Sequence, residues 1–222
     1  MLSIDTCGPS GSVALGRLAG RDLEILGQTE LEGRTYSSTL VSAIAELLAL
    51  NSLTLNNLGG IIAASGPGSF TGVRVGLSAV KGLAEGAQIP VVAISRLLVL
   101  SRMAGVPTCA LDAHRDELYL RLEEMGQPAK ELLAGERELA AISPPVRVAV
   151  CDDRAAALLA GAWPSTQIVR CQAPMASDAL RLGEARLIAG LHEDLALLDG
   201  NYLRRSDAEI FGEAAAAGLK RS

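Results

Sequence analysis

The chain has 222 residues, of which 49% are hydrophobic and 20% are charged, and its net charge is −5 at pH 7. This composition fits an ordered globular protein and excludes a disordered chain. An acidic chain with 3% aromatic residues also lacks the basic face and stacking rings of a stand-alone RNA-binding protein. If RNA is a substrate, another subunit must hold most of it.

Cysteine usage and hydropathy favour a cytoplasmic protein. The four cysteines are scattered and form no C-x-x-C pair. The opening MLSIDTC has no basic region, and Asp5 interrupts its apolar run, so we expect no signal peptide. The sequence has no uncharged apolar stretch near the ~18 residues that a membrane helix needs. We therefore expect reduced thiols and no membrane association.

The first hundred residues predict three strands followed by alternating helices and strands. Residues 2–18 hold two apolar runs around a Gly-Pro-Ser-Gly turn, which predicts a hairpin, and 23–31 predicts a third strand. Apolar residues at helical spacing then predict a helix over 35–50. The remaining runs predict a strand, a helix, a strand and a helix at 59–65, 70–87, 90–95 and 96–105.

The pattern then restarts at 108–122, where strand, aspartate, polar turn and alternating strand repeat the opening, with Asp112 in the place of Asp5. Such repetition predicts two similar halves. We place the first at 1–104 and a smaller second half at 105–222. Each half is predicted to be α/β with a mixed sheet and flanking helices. Further elements are predicted at 146–152, 154–161, 167–171 and 177–191, with an irregular connection bounded by Pro128, Pro144 and Pro145.

Residues 61–84 read as a strand, a glycine-rich bend and a helix, the order of a phosphate-binding loop. The P-loop template fails because Val73 and Arg74 follow Gly72, and the G-x-G-x-x-G template fails at its third glycine. Binding of an anion at the helix N-terminus stays open. We favour a tight turn that aims the helix, formed by Gly66, Pro67, Gly68, Ser69, Thr71 and Gly72.

Independent catalysis has little support in the sequence. Two histidines do not make a histidine-rich metal site, and H-E-x-x-H is missing. The serine of GPGSFTG stands at the wrong offset for the G-x-S-x-G hydrolase motif. His114 lies between carboxylates and is interpreted as part of a solvated turn. We predict no catalytic residue and no metal ligand.

Four sequence blocks nevertheless resemble a known family. They are IDTCGPSGSVAL, GPGSFTGVRVGLSAVKGLA, ALDAHRDELY and YLRRSDAE, in that order across residues 2–209. Together they resemble the bacterial TsaB (YeaZ) family of the actin-like ATPase (ASKHA) superfold, which is related to TsaD. The central block is the most diagnostic. Tyr36 and Ser37 depart from the family pattern, which often has a histidine-led segment there.

The resemblance implies an accessory role. TsaB proteins are non-catalytic partners of TsaD, with TsaE joining them, in forming threonylcarbamoyladenosine beside the anticodon of ANN-decoding tRNAs. The family implies that tRNA is met only through the complex. It implies no cofactor of the chain's own, with ATP or ADP at the interface with TsaD as an open alternative. Homodimerisation in the absence of TsaD is also open.

The predicted helices over 35–50 and 70–87 are the expected partner surface, since the resemblance implies that a heterodimer forms. The candidate contact residues are Leu40, Val41, Ile44, Ala45, Val73, Gly76, Ala79 and Val80. The alternative is that the helix glycines Gly72, Gly76, Gly82 and Gly86 serve close packing on the protein's own sheet.

The opening loop resembles the first phosphate loop of the superfold, so its nucleotide candidates are Asp5, Gly8, Ser10 and Gly11. The alternative is a hairpin with an Asx-type turn, which we favour. Two other functions are kept open. One is an independent ATP-using enzyme or kinase of the same superfold, and the other is a protease.

Overall fold

The computed structural model describes residues 1–33, 35–123 and 126–204. The first half is built on a five-stranded sheet in the order β3-β2-β1-β4-β5. Its first three strands are antiparallel neighbours, whereas β4 and β5 run parallel to β1, so the sheet is mixed. The strands are β1 (Leu2–Asp5), β2 (Ser10–Ala19), β3 (Asp22–Glu32), β4 (Ile61–Ala64) and β5 (Val91–Ile94).

The helices of the first half are α1 (Tyr36–Leu50), α2 (Phe70–Ala87) and α3 (Arg96–Ala104), and a short 3₁₀ turn spans Leu55–Asn57. The predictions over 35–50, 70–87 and 96–105 are confirmed. Helices α1 and α2 lie side by side on one face of the sheet, where their apolar residues join Leu2, Ile4 and Ile61 in one core.

The second half repeats this plan in a sheet ordered β10-β9-β6-β7-β8, which confirms two similar halves. One prediction here is wrong, because the connection after Pro128 is not irregular. The segment KELLA forms a strand antiparallel to β7, and ERELAA follows as a helix. Lys, Glu, Leu and Ala favour helix or are poor strand formers, so pairing with β7 overrides local preference. The elements are β6 (Cys109–Asp112), β7 (Leu118–Leu122), β8 (Lys130–Ala134), α4 (Glu136–Ala141), β9 (Arg147–Val150), α5 (Asp153–Ala162) and β10 (Gln167–Arg170).

Helix α6 (Ala176–Ile188) returns to the first half. It packs on the face of the first sheet opposite α1 and α2, where Leu180 joins Ile62 and Val92 in a common core. The segment that follows stays there, with the Asn201 N–H donating to the Ser65 carbonyl at 2.7 Å. A boundary after residue 104 therefore separates the two sheets. It does not separate the layers of helices packed on them, because α6 follows that boundary in sequence but packs on the first sheet.

A largely buried carboxylate joins the two halves. Glu131 on β8 accepts hydrogen bonds from Ser95 Oγ at 2.7 Å, Arg121 Nη1 at 2.9 Å and Asn201 Nδ2 at 2.6 Å. Ser95 caps α3 in the first half, and Asn201 belongs to the returning segment. Since a buried carboxylate is costly unless paired, this cluster holds both halves in one arrangement.

Candidate partner-docking surface

The glycine-rich turn before α2 forms as the sequence predicts. The Ser69 hydroxyl caps the helix by accepting the Gly72 N–H at 3.2 Å, and the Gly66–Pro67 peptide bond is cis. A Cβ atom on Gly68 would lie 2.1 Å from the Cys7 carbonyl oxygen, and one on Gly72 would lie 2.0 Å from that of Thr6. These two glycines let the turn approach the loop between β1 and β2, so their role is architectural.

The glycines inside α2 fall into two groups. A Cβ atom on Gly76 would lie 2.2 Å from Thr6 Oγ1, which itself donates to the Gly72 carbonyl at 2.7 Å. The close-packing interpretation is therefore confirmed for Gly72 and Gly76. Apart from the chain neighbours and the adjacent backbone of α2 itself, no atom of the described residues lies within 4 Å of a Cβ added to Gly82 or Gly86. Contacts within the chain do not explain these two glycines.

The eight predicted contact residues do not share one face. Ile44, Val73, Gly76 and Val80 are buried in the chain's own core, so the prediction that they contact a partner is wrong. Leu40 is also buried but lines the groove between α1 and α2, so its contact with a partner stays a prediction. The helical spacing of these five residues indicates one apolar side of each helix. The spacing is the same whether that side faces the core or a partner, so the sequence could not distinguish the two. Val41 is 60% exposed, Ala45 is exposed and Ala79 is half-buried, so these three residues remain available.

A shallow groove of about 320 Å³ runs between α1 and α2, and Val41, Val75 and Ala79 line its uncharged part. Helix α1 carries one charged residue, Glu46, in its 15 residues. Around the groove, small and apolar side chains face outward on both helices. We call this surface the docking face and define it by Val41, Ala45, Val75, Ala79 and Gly82.

A second cavity, of about 490 Å³, lies on the other side of α2 against residues 198–204. The Arg74 guanidinium carbon stands 3.8 Å from the centroid of the Phe70 ring and 5.8 Å from that of Tyr202. The two rings are 5.0 Å apart between centroids. Lys81 and Arg204 also line the cavity, so it combines aromatic and cationic groups.

In the predicted first phosphate loop, the carboxylate of Asp5 is engaged by other groups of the protein. Asp5 Oδ1 accepts the Cys7 N–H at 2.8 Å, which confirms the Asx-type turn, and Oδ2 pairs with Arg96 Nε at 3.0 Å. Both side chains are buried. Burial, the largest single influence, would lower the pKa of Arg96. The charge and hydrogen bond of Asp5, together with the nearby thiols of Cys7 and Cys151, nevertheless raise that pKa overall. Because both oxygens of Asp5 are engaged, its role in this arrangement is structural.

The other loop candidates differ in their surroundings. A Cβ atom on Gly8 would lie 2.5 Å from Arg96 Nη2, and one on Gly11 would lie 2.7 Å from the Asp5 carbonyl oxygen. Ser10 is exposed. The two glycines thus have packing roles, and nucleotide binding by Gly8, Ser10 and Gly11 stays a prediction.

The second half repeats this turn. Asp112 Oδ1 accepts the His114 N–H at 2.8 Å, the bond that Asp5 makes with Cys7. Arg154 approaches the same carboxylate at 3.6 Å and pairs with Asp116 at 3.0 Å. The His114 side chain is 81% exposed, in agreement with a charged surface turn. In both halves an arginine faces the aspartate that opens the loop, but Arg96 is buried whereas Arg154 is half-exposed.

Sequence reasoning missed the contribution of Tyr36 and Arg96. The Tyr36 hydroxyl, at the start of α1, donates to the Gly8 carbonyl at 2.9 Å, and burial raises the pKa of Tyr36 to about 12. Helix α1 is thereby tied to the first loop. A buried tyrosine and a buried arginine far apart in sequence carry no local signal. The repeat did indicate Asp5, the partner of Arg96.

Two further features of the described residues concern clusters of metal-binding side chains and membrane-spanning helices. Within residues 1–33, 35–123 and 126–204, no group of three or more His, Cys, Asp and Glu side chains has an arrangement that suits a metal ion. Over the same residues, no helix combines the length and apolar character required to cross a bilayer.

The comparisons with known proteins agree with this geometry. Residues 28–136 match the family model described as TsaD, tRNA N6-adenosine threonylcarbamoyltransferase. The TsaB proteins of Haemophilus influenzae and Escherichia coli, each described as a tRNA threonylcarbamoyladenosine biosynthesis protein, are 38% and 30% identical over 125 residues. Those alignments span 54% of this chain and about half the length of the relatives, 51% and 52% respectively.

The fold comparison covers nearly the whole chain. The structure of YeaZ from Pseudomonas aeruginosa superposes with a TM-score of 0.70 at 24% identity, over 91% of this chain and 98% of that one. Two mixed sheets with flanking helices in this arrangement define an actin-like ATPase (ASKHA) fold, as the sequence predicts. The chain is therefore similar in fold to YeaZ and, over about half of its length, similar in sequence to TsaB proteins.

Proposed function

We propose that this protein is a non-catalytic, cytoplasmic subunit that docks on TsaD through the docking face. With TsaE, the complex transfers a threonylcarbamoyl group to the adenosine beside the anticodon of ANN-decoding tRNAs. The chain meets tRNA through the complex. It has no cofactor of its own, and any ATP or ADP lies at the interface with TsaD. Without TsaD, the same face pairs with a second copy of the chain.

The observation that carries this proposal is the exposed glycine pair in α2. Gly82 costs ~1 kcal/mol relative to alanine because it lies in the interior of α2, whereas Gly86 lies in the last turn of the helix. Gly72 and Gly76 have an internal reason, whereas Gly82 and Gly86 have open space beside them. The same helix also lines the groove between α1 and α2 through Val75 and Ala79. Small residues on such a face let another helix approach closely, which is the geometry of helix-to-helix docking.

The alternative is an independent ATP-using enzyme. An actin-like kinase would need its first loop to hold phosphates and a cation, but here Asp5 is engaged by Arg96. We expect no useful ATP turnover by the purified chain. Rapid turnover that is lost on replacing the exposed Ser10 by alanine would favour the alternative.

Charge insertion on the docking face tests the proposal. Val41→Arg and Ala45→Arg place an unpaired charge on exposed positions of α1, which is costly only if a partner buries it. We expect each variant to melt near the wild-type temperature and to lose binding to the host's TsaD on a sizing column. Ala157→Arg, at an exposed position of α5, is the matched control and should bind normally.

The same experiment can reject the proposal. If Val41→Arg, Ala45→Arg and Ala79→Arg all fold and still bind TsaD, the docking face is not the interface. Gly76→Arg is uninformative for docking, because its side chain would collide with Thr6 and unfold the protein.

A further inference from the structure

The cavity between α2 and residues 198–204 is lined by three cationic side chains, one of which has an unpaired donor atom. Arg204 Nε is buried and has no hydrogen-bond partner among the described residues. Arg74 contacts the Phe70 and Tyr202 rings, and no ion pair of Arg74 or Lys81 is found in the described part of the chain. A buried donor left unpaired costs ~1–3 kcal/mol, so a group that supplies acceptors would be stabilised here.

The charge of the cavity limits the kind of group that fits. Arg74, Lys81 and Arg204 line it together with one carboxylate, Asp199. Arg204 also pairs with Glu117 and donates to the His114 carbonyl at 3.2 Å. After these pairings a single positive charge is uncompensated. A singly charged carboxylate balances it, whereas a polyphosphate would face Asp199 and Glu117 with several negative charges.

The cavity and the docking face are continuous. The groove and the cavity share Arg74 and Ser78, which lie one turn apart on α2 and separate them. A helix seated on the docking face and crossing α2 would therefore pass over the mouth of the cavity. The Phe70 and Tyr202 rings offer an apolar wall for the methylene groups of a long acidic side chain.

We propose that the protein partner inserts an acidic side chain, glutamate or aspartate, into this cavity, where Arg74, Lys81 and Arg204 bind its carboxylate. This inference rests on the proposed function and names the chemistry of the partner surface. Stacking on Phe70 holds the Arg74 fork in place before docking, which lowers the entropy lost on binding. The carboxylate selects the orientation of the partner, while the apolar groove provides most of the buried area.

Affinity measurements on the complete chain and the host's TsaD test this. We expect Arg74→Glu and Lys81→Glu each to weaken Kd by about tenfold, which corresponds to about 1.4 kcal/mol. Arg74→Lys keeps the charge but loses the planar fork and should fall between wild type and Arg74→Glu. Arg181→Glu, at an exposed position of α6 on the opposite face of the sheet, is the control and should stay within about twofold.

Salt and competing anions separate the alternatives. Wild-type affinity should fall between 50 and 300 mM NaCl, and the double variant Arg74→Glu/Lys81→Glu should lose most of this dependence. If folded Arg74→Glu, Lys81→Glu and Arg181→Glu all bind TsaD with equal affinity, the proposal that the partner inserts an acidic side chain is overturned. Displacement of TsaD by millimolar phosphate or ADP also overturns it, because the cavity then binds a free anion. If wild type fails to bind TsaD at all, the proposed function fails and this inference fails with it.

Discussion

At the residue scale, the buried pair of Asp5 and Arg96 decides what the first loop can do. Their side chains are 3% and 6% exposed, so neither charge has access to bulk water. Desolvation of each charge costs several kcal/mol, which a short pair with additional hydrogen bonds offsets. Asp5 has such a bond from Cys7, and the packing of Gly8 on Arg96 closes the site. The loop between β1 and β2 is therefore held in place by the guanidinium group of Arg96.

Removing one member of this pair should be far more costly than removing both. We expect Arg96→Met to destabilise the protein by ~3–5 kcal/mol, since Asp5 would stay buried without its partner. The double variant Asp5→Asn/Arg96→Met should recover part of that loss. Urea unfolding of the wild type, Asp5→Asn, Arg96→Met and the double variant measures the coupling. Arg17→Met, which breaks the exposed pair with Glu24, should cost less than ~1 kcal/mol and serves as the control.

The thiol of Cys151 gives a pH-dependent stability with a defined sign. Burial raises its pKa to about 11, against 9.0 for an unperturbed thiol. The folded state therefore favours the protonated thiol. The contribution of this thiol to the free energy of unfolding is complete below pH 9 and is lost as the pH rises towards 11. In that interval the thiol ionises readily only in the unfolded state.

Melting temperatures at pH 7.5 and pH 10.5 should show this. We expect the wild type to lose more stability over that interval than Cys151→Ala does. An equal loss in both proteins would show that Cys151 has the same pKa folded and unfolded.

At the element scale, helix α2 combines a side that packs in the core with a side that is exposed. Gly72 and Gly76 face Thr6, while Gly82 and Gly86 face open space. Periodicity in the sequence gives the bounds of such a helix but not the use of each side, because core-facing and partner-facing stripes have the same spacing. This is why five predicted contact residues proved to be buried.

Alanine substitutions should separate the two sides. Gly82→Ala has open space and is expected to stabilise the isolated protein by ~0.5–1 kcal/mol through helix propensity. Gly76→Ala should instead destabilise it, because the new methyl group would meet Thr6 Oγ1. Chemical denaturation of both variants measures the difference. Stabilisation by both substitutions would contradict the close-packing role of Gly76.

At the scale of the whole molecule, the sequence predicts the repeated halves and most elements, since each of these follows from local periodicity and turn residues. It does not predict that α6 packs on the first sheet, because that choice depends on which distant face remains uncovered. It also misses β8, whose residues favour another conformation. At the site, the Asx turn at Asp5 was predictable, but its pairing with Arg96, 91 residues away, was not.

The acidic charge of the whole chain leads to a prediction about tRNA. With a net charge of −5, the isolated protein provides no general attraction for a phosphate backbone. We expect tRNA binding to be weaker than micromolar in a filter or fluorescence assay at 150 mM salt. Submicromolar, salt-dependent binding by the chain alone would contradict the proposal that tRNA is held through the complex.

The last prediction concerns the dependence of the first half on a helix from the second. Leu180 on α6 is fully buried and packs in the same core as Ile62, Val92 and Ile94 of the first sheet. Truncating it leaves a cavity against β4 and β5, so Leu180→Ala should cost ~2–5 kcal/mol. The loss should appear as faster hydrogen exchange in β1, β4 and β5, although these strands lie more than 80 residues earlier in the chain. Leu159→Ala, buried in α5 of the second half, is the matched control. If Leu180→Ala accelerates exchange only in β6, β9 and β10, then α6 stabilises the second half and the first sheet is independent of it.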